Sequence, residues 1–166
     1  MIPFDLTLNR DHYYIKKSKV VEEISFNKRY FLSKYDCFKE PLTDEIINIA
    51  LKNHHILATS ILGKLDYFIL DYNGDDRDYF LHKAIKLLRT LDYAHFRAYH
   101  SKTAQHLHLY IFCGLLSAPQ REELGKIFSN KLEEKLQKQW RIFPNSELPE
   151  AYNIINLPHK LYRADS

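Results

Sequence analysis

Hydrophobic and polar residues alternate along three segments in the second half of the chain, and this alternation predicts β-strands. The segments are Asp66 to Asn73 (DYFILDYN), His95 to His100, and HLHLYIF, which begins at His106. Because successive side chains of a strand point to opposite faces, each segment has one apolar face and one that carries polar groups. In the last segment, His106 and His108 leave the same face of one strand.

Apolar residues at helical spacing separate and follow these strands. A helix is predicted from about Asp76 to Asp92, and a second begins near Pro119 with Ser117 as its N-cap. A last strand is predicted at Tyr152 to Leu157, before Pro158. The order in this part is therefore β-α-β-β-α-β, the split βαβ pattern of ferredoxin-like and RNA-recognition folds.

The N-terminal part predicts a smaller α/β extension to that unit. The predicted fold class is therefore α+β, as a single domain over residues 1–166 with an N-terminal α/β part (1–64) and an RNA-recognition-like unit (65–166). The elements predicted in the N-terminal part are strands at His12 to Lys16, Val20 to Phe26 and Ile56 to Leu62, and a helix from Asp44 to Lys52 capped by Thr43.

The alternations of the three strands agree on one polar face. If Phe68, Leu70 and Tyr72 face the helices, the opposite side of the sheet collects polar groups near its centre, where the first and third strands lie side by side. We expect this face to be open. The polar residues on it are Asp71, Asn73, Arg97, Ser101, His106 and His108.

These polar residues suggest two kinds of chemistry. In the first, Asp71 and a further acid bind a divalent cation while histidines contact an anion. The turn from Ser101 to Gln105 offers backbone N–H groups, a hydroxyl and Lys102, and it is a candidate phosphate cradle. In the second, His106 and His108 bind a transition metal directly.

Composition narrows the class of protein only moderately. A chain of 166 residues can bury a real core, and its 4 glycines argue against long disordered linkers. The net charge of +3 permits a polyanionic partner without requiring one. Cys37 and Cys113 lack metal-ligand spacing. No segment has the length of a membrane span or the pattern of a signal peptide, so we expect a cytoplasmic protein with no membrane partner.

Two segments resemble motifs of the archaeo-eukaryotic primase (prim-pol) superfamily. FILDYN is similar to its hhhDhD motif, with Asp71 at the first acid and Asn73 at the second. SKTAQHLHLYIF is similar to its second motif, with Ser101 leading and His108 at the motif histidine. A third region, RIFPNSELPEAYNIINLPHKLYR, is similar to a later motif and has Glu147 at its acidic position.

The resemblance covers about residues 55 to 163 and implies a small stand-alone bacterial branch with a prim-pol-like fold. It implies a nucleoside triphosphate as ligand, Mg²⁺ or Mn²⁺ as cofactor, and metal-dependent nucleotidyl transfer on DNA or RNA. The implied metal ligands are Asp71, Asn73 and Glu147, the implied catalytic residues are Asp71, Glu147 and His108, and the implied phosphate contacts are Ser101, Lys102, His106, His108, Lys160 and Arg163.

The chain departs from that family's pattern at two places. Asn73 replaces the second carboxylate, and a neutral amide is a poorer ligand for a hard dication. The glycines of the second-motif turn are replaced by Lys102 to Gln105, which makes close backbone approach to phosphate harder. These departures favour nucleotide binding over full polymerase activity, and a member without catalysis stays an open alternative.

Two other classes of protein stay open. HLHLYIF also has the His-hydrophobic-His pattern of HUH single-strand endonucleases, but the helix that starts near Pro119 carries no tyrosine nucleophile. The other class is a non-catalytic module that binds nucleic acid or protein through an RNA-recognition-like sheet. Histidines occupy the outward positions where such modules carry aromatic residues.

Overall fold

A computed structural model describes residues 6–103, 105–158 and 160–165 of the chain, and it divides into two compact units. Unit 1 comprises Met1–Leu65 and Asn145–Leu157, and unit 2 comprises Asp66–Pro144 and Pro158–Ser166. The predicted α+β class is confirmed, with three α-helices and three sheets among the described residues. None of the described helices is long and apolar enough to cross a membrane.

The elements follow one another in an order that mixes strands and helices throughout. In chain order they are β1 (Tyr13–Lys16), β2 (Glu22–Phe26), β3 (Arg29–Ser33), β4 (Tyr35–Phe38), α1 (Asp44–Lys52), β5 (Leu57–Ser60), β6 (Leu65–Tyr72), α2 (Arg77–Thr90), β7 (Phe96–His100), β8 (Leu107–Leu116), α3 (Ala118–Glu133), β9 (Trp140–Phe143), a 3₁₀ helix (Glu150–Tyr152), β10 (Ile154–Asn156) and β11 (Leu161–Ala164).

Unit 1 contains a four-stranded antiparallel sheet in the order β10-β5-β1-β4, together with the β2–β3 hairpin. Helix α1 has the predicted bounds. It begins after Thr43 because Thr43 Oγ1 accepts a hydrogen bond from the backbone N–H of Ile46 at 3.2 Å. Ile47 and Ala50 of this helix are buried against Tyr13 and Leu57 of the sheet.

The sequence predicts that a strand at Tyr152 to Leu157 completes the β-α-β-β-α-β sheet, and this prediction is wrong. β10 instead pairs with β5 in unit 1, with Ile155 opposite Thr59. The strand that follows α3 in the sheet of unit 2 is β9, which is anchored by a buried tryptophan. The indole N–H of Trp140 donates a hydrogen bond to Ser129 Oγ of α3 at 2.9 Å.

Unit 2 contains a five-stranded sheet in the order β11-β7-β8-β6-β9, so β6 and β8 are neighbours inside it. Helices α2 and α3 share one core with one side of this sheet. The side chains that face this core are those that the alternation predicts, because each strand contributes every second side chain to it. They are Phe68, Leu70, Tyr72, Phe96, Ala98, Leu107, Leu109 and Ile111.

The turn between β6 and α2 is tightly built. Asp76 Oδ1 caps α2 by accepting from the backbone N–H of Tyr79 at 3.1 Å, and its own N–H donates to the hydroxyl of Tyr72 at 2.9 Å. A Cβ atom on Gly74 would lie 2.2 Å from that hydroxyl oxygen. Only glycine fits at this position without moving the ring of Tyr72. The hydroxyl of Tyr72 links the end of β6 to the start of α2 through its hydrogen bond with Asp76.

The sequence also predicts that the face opposite the helices is open, and its centre is instead buried. Tyr67, Tyr99 and Tyr110 are at most 2% exposed, and the ring of Tyr110 lies 5.0 Å from that of Tyr67 and 5.3 Å from that of Tyr99. Burying such large rings is strongly favourable, which outweighs the polar character of their neighbours. Arg97 lies over the ring of Phe112 at 5.3 Å and is therefore not grouped with the other polar residues. Of the predicted polar residues, Asp71 and His108 remain in contact, at one end of the sheet.

Candidate functional site

Asp71 lies near the end of β6, between histidine and arginine side chains from the two neighbouring strands. Its Oδ1 is 3.3 Å from Nε2 of His108 on β8, and its Oδ2 accepts a hydrogen bond from Nη2 of Arg141 on β9 at 3.2 Å. The predicted proximity of Asp71 and His108 is therefore confirmed. We call these three residues the Asp71 site.

The Asp71 site is closed on one side and open on the other. The side chains of Asp71 and His108 are each 13% exposed, whereas that of Arg141 is 63% exposed. Burial raises the pKa of the Asp71 carboxyl, but the hydrogen bond and charge of His108, followed by those of Arg141, lower the pKa by more. The carboxylate is therefore ionised at neutral pH, and the site can be approached from the side of Arg141.

Sequence reasoning missed Arg141, although its strand carries a readable signal. In WRIF, Trp140 and Ile142 pack against the core beneath the sheet, so Arg141 leaves the opposite face. Four residues were too short a pattern to distinguish from a loop. The register pairs Asp71 with Arg141 directly, and this pairing brings the guanidinium to the carboxylate.

The hairpin between β7 and β8 lies beside His108. The register pairs Tyr99 with His108, which places Ser101 and His106, at the two ends of the connecting turn, at the same end of the sheet. The N–H of Ser101 donates to the carbonyl of His106 at 3.4 Å, and Lys102 is exposed. Three predicted phosphate contacts, Ser101, Lys102 and His106, are thus near the Asp71 site.

The other predicted metal ligands make different contacts. The amide of Asn73 donates to the backbone carbonyl of Asp71 at 3.2 Å, so it caps the strand end. Glu147 belongs to unit 1, where its N–H donates to Asn145 Oδ1 at 3.0 Å within a loop. In the described part of the chain, no group of three His, Cys, Asp or Glu residues is placed to hold a metal ion. One carboxylate with both oxygens already paired does not fit a resident pair of metal ions.

The two basic candidates near the C-terminus differ in position. The backbone carbonyl of Lys160 accepts from the N–H of His100 at 2.9 Å, which places Lys160 at the end of β7 near the hairpin. Arg163 follows a register shift in β11 and pairs with Ala98, whose side chain belongs to the helix-covered core. It lines a cavity with Leu88 of α2 and so lies on the face opposite the Asp71 site.

Comparison with models of protein families gives a match at the N-terminal end of the sequence. A family model described as a domain of unknown function (DUF1882) matches residues 1–68. The matched segment ends before Asp71, so all residues of the Asp71 site lie outside it. No curated protein matches the chain significantly.

Proposed function

We propose that this protein binds a nucleoside triphosphate at the Asp71 site and the adjoining β7–β8 hairpin. The observation that carries the proposal is the ionised Asp71 held between His108 and Arg141 at the end of β6. The hairpin adds a hydroxyl, a lysine and a second imidazole beside this group. Together these residues place two cations, Arg141 and Lys102, and two imidazoles around one carboxylate, and a polyphosphate is complementary to a surface with this excess of positive charge and hydrogen-bonding groups.

Arg141 is the best placed group for the first phosphate contact. A guanidinium binds phosphate oxygens through two parallel hydrogen bonds, and Arg141 is mostly in solvent already. It can therefore turn from Asp71 toward a phosphate at little desolvation cost. Lys102, which is exposed in the hairpin, would add a point charge to the same ligand.

Asp71 acts in this proposal as a positioning residue for His108. Because Nε2 of His108 faces the Asp71 carboxylate, the ring orientation is set and Nδ1 is the atom that would meet a ligand. Loss of Asp71 would then weaken nucleotide binding through His108.

Mg²⁺ enters this proposal as part of the ligand. Magnesium in proteins is commonly held by one or two carboxylates plus substrate phosphates, and it keeps several waters. A site with one carboxylate therefore suits a Mg²⁺–triphosphate complex and does not suit the free ion. We expect nucleotide binding to strengthen with Mg²⁺ or Mn²⁺, and no binding of either ion alone.

Nucleotidyl transfer on DNA or RNA is the further activity that the prim-pol resemblance implies. The adjacency of β6 and β8 inside the sheet supports that resemblance, since the split βαβ pattern places its first and third strands together. Asn73, which stands at the second acidic position, argues for binding without rapid transfer. Extension of a labelled primer on a template, with Mg²⁺ or Mn²⁺, tests this part separately.

The binding test is a titration of ribo- and deoxynucleoside triphosphates by isothermal calorimetry, with and without Mg²⁺. We expect Arg141→Gln and His108→Gln each to raise Kd about tenfold, the value of one charge-assisted contact. Arg163→Gln is the matched control and should leave Kd unchanged, because Arg163 lies on the other face.

Two results would count against the proposal. Absence of binding by any nucleotide overturns it, and equal weakening by all three variants moves the ligand away from the Asp71 site. Binding of single-stranded oligonucleotide that is indifferent to nucleotide and metal would favour the non-catalytic binding module. A covalent phosphotyrosine adduct with single-stranded DNA would favour the endonuclease alternative.

A further inference from the structure

Unit 2 contains a cavity of about 280 Å³ between α2 and β11, on the face of the sheet opposite the Asp71 site. Its apolar wall is formed by Ile85 and Leu88 of α2, by Phe96 of β7, and by Tyr93 in the preceding turn. Leu88 and Phe96 are buried, so this wall is part of a packed core and is already formed. The volume is close to the lower end of the range for small-molecule sites, which is roughly 300–1,000 Å³.

Two arginines stand at the rim of this cavity. Arg89, in the last turn of α2, and Arg163 of β11 are both exposed and both line it. Among the residues that the structure describes, neither guanidinium has an ion-pair or side-chain hydrogen-bond partner. Two unpaired guanidinium groups beside an apolar wall favour a ligand that carries both an anionic and an apolar part.

Among the described residues that line the cavity, Asp165 is the only acid, and it offsets at most one of the two arginine charges. Asp165 Oδ1 accepts from the N–H of Phe96 at 3.1 Å, and its Oδ2 lies 2.7 Å from Nδ1 of His95. Burial raises the pKa of this carboxyl, but the hydrogen bonds from His95 and Phe96 lower the pKa by more, so Asp165 is ionised. Both of its carboxylate oxygens already have a partner other than the arginines. The cavity therefore keeps a net positive rim.

We propose that this cavity binds a small organic anion, made of one carboxylate or phosphate group on a ring-sized apolar body. The guanidinium groups of Arg89 and Arg163 bind the anionic oxygens, and Leu88 and Phe96 contact the apolar body. The site shares no residue with the Asp71 site, so it is a second ligand site and does not depend on nucleotide binding there.

The test uses four probes on the full chain, followed by isothermal calorimetry and by amide shifts in two-dimensional NMR. Benzoate and phenyl phosphate carry the proposed combination, benzamide lacks the charge, and inorganic phosphate lacks the ring. We expect saturable binding of benzoate or phenyl phosphate. The probe with the lower Kd shows whether the site prefers a carboxylate or a phosphate group. Benzamide and inorganic phosphate should each bind at least about tenfold more weakly.

Variants locate the site. The double change Arg89→Gln and Arg163→Gln should weaken the better probe at least about tenfold. Ala94→Trp, which adds a ring at an exposed wall position, should block it without disturbing the core. Lys86→Gln removes an exposed charge from the same helix and should change nothing. Thermal melting shows that each variant is folded.

Three outcomes would overturn this proposal. They are no saturable binding of either charged probe, equal binding of benzamide, and full retention of binding in the double arginine variant. Because the Arg141→Gln and His108→Gln variants report on the Asp71 site alone, failure of nucleotide binding there would not be confused with failure here.

Discussion

The Asp71→Asn substitution is the most direct test of the electrostatics at the Asp71 site. Asparagine keeps the shape of the side chain and removes its charge. The structure predicts that His108, which is as buried as Asp71, loses its anionic partner, while the more exposed Arg141 returns to solvent. We therefore expect destabilisation that arises mainly from the His108 contact.

The size of the effect follows from the burial of each contact. A hydrogen bond to a charged group contributes roughly 1.5–3 kcal/mol to stability when it is shielded from solvent. An ion pair with a partner as exposed as Arg141 contributes about 0–1 kcal/mol. Asp71→Asn should thus lower the free energy of unfolding by about 1.5–4 kcal/mol near neutral pH.

The pH dependence of this difference has a defined sign. The pKa of Asp71 is lower in the folded chain than in the unfolded chain, where it is about 3.9. The stabilisation by the carboxylate is therefore fully present above the unfolded pKa, and it is lost as pH falls through the folded pKa. Asp165, whose pKa is also lowered, titrates in both proteins and cancels from the difference.

The assay is urea unfolding of the original chain and the variant at a series of pH values from about 7 to about 3. Arg141→Gln is the control and should cost under about 1 kcal/mol. The reasoning would be refuted by a difference for Asp71→Asn that is no larger than the control's. A difference that stays constant down to about pH 3 would also refute it, since the carboxylate would not be its source.

Three further predictions concern the surroundings of the two sites. Gly74→Ala should cost about 1–3 kcal/mol in urea unfolding, because its methyl group meets the Tyr72 hydroxyl, and a neutral result would mean that this turn yields easily. Ser129→Ala should cost about 1–2 kcal/mol and alter the fluorescence of Trp140, the single tryptophan; unchanged emission would contradict the buried indole hydrogen bond. The double change Arg89→Gln and Arg163→Gln should leave nucleotide affinity intact in calorimetry, and loss of that affinity would place the nucleotide in the cavity.

The candidate site illustrates how far local patterns reach. Alternation along β6 and β8 predicted that Asp71 and His108 share a face, and the β-α-β-β-α-β order predicted that their strands are neighbours. It could not show that Arg141 lies on the other side of Asp71, because that depends on which strand pairs with β6 and in which register. Asp71 and Arg141 are 70 positions apart, and the sequence around neither residue indicates that the two strands pair.

The placement of Arg163 illustrates a second limit. The register shift within β11 turns this residue toward α2, and a single extra residue in a strand reverses the side chain's face. Arg163, which the sequence predicts to contact phosphate beside Asp71, therefore lines a cavity on the other face of the sheet. No periodicity argument reveals such a bulge, since it arises from the partner strand.

The sequence by itself determined the local order of this protein. Side-chain alternation and capping residues gave the apolar faces of β6, β7 and β8 and the start of helix α1 at Thr43, because these depend on nearby residues. Only the tertiary structure decided that residues 145–157 join unit 1, that the tyrosine-lined face is buried, and that Arg141 meets Asp71. Those outcomes depend on long-range strand pairing and on what covers each face, and the energy of both comes from residues far apart in the chain.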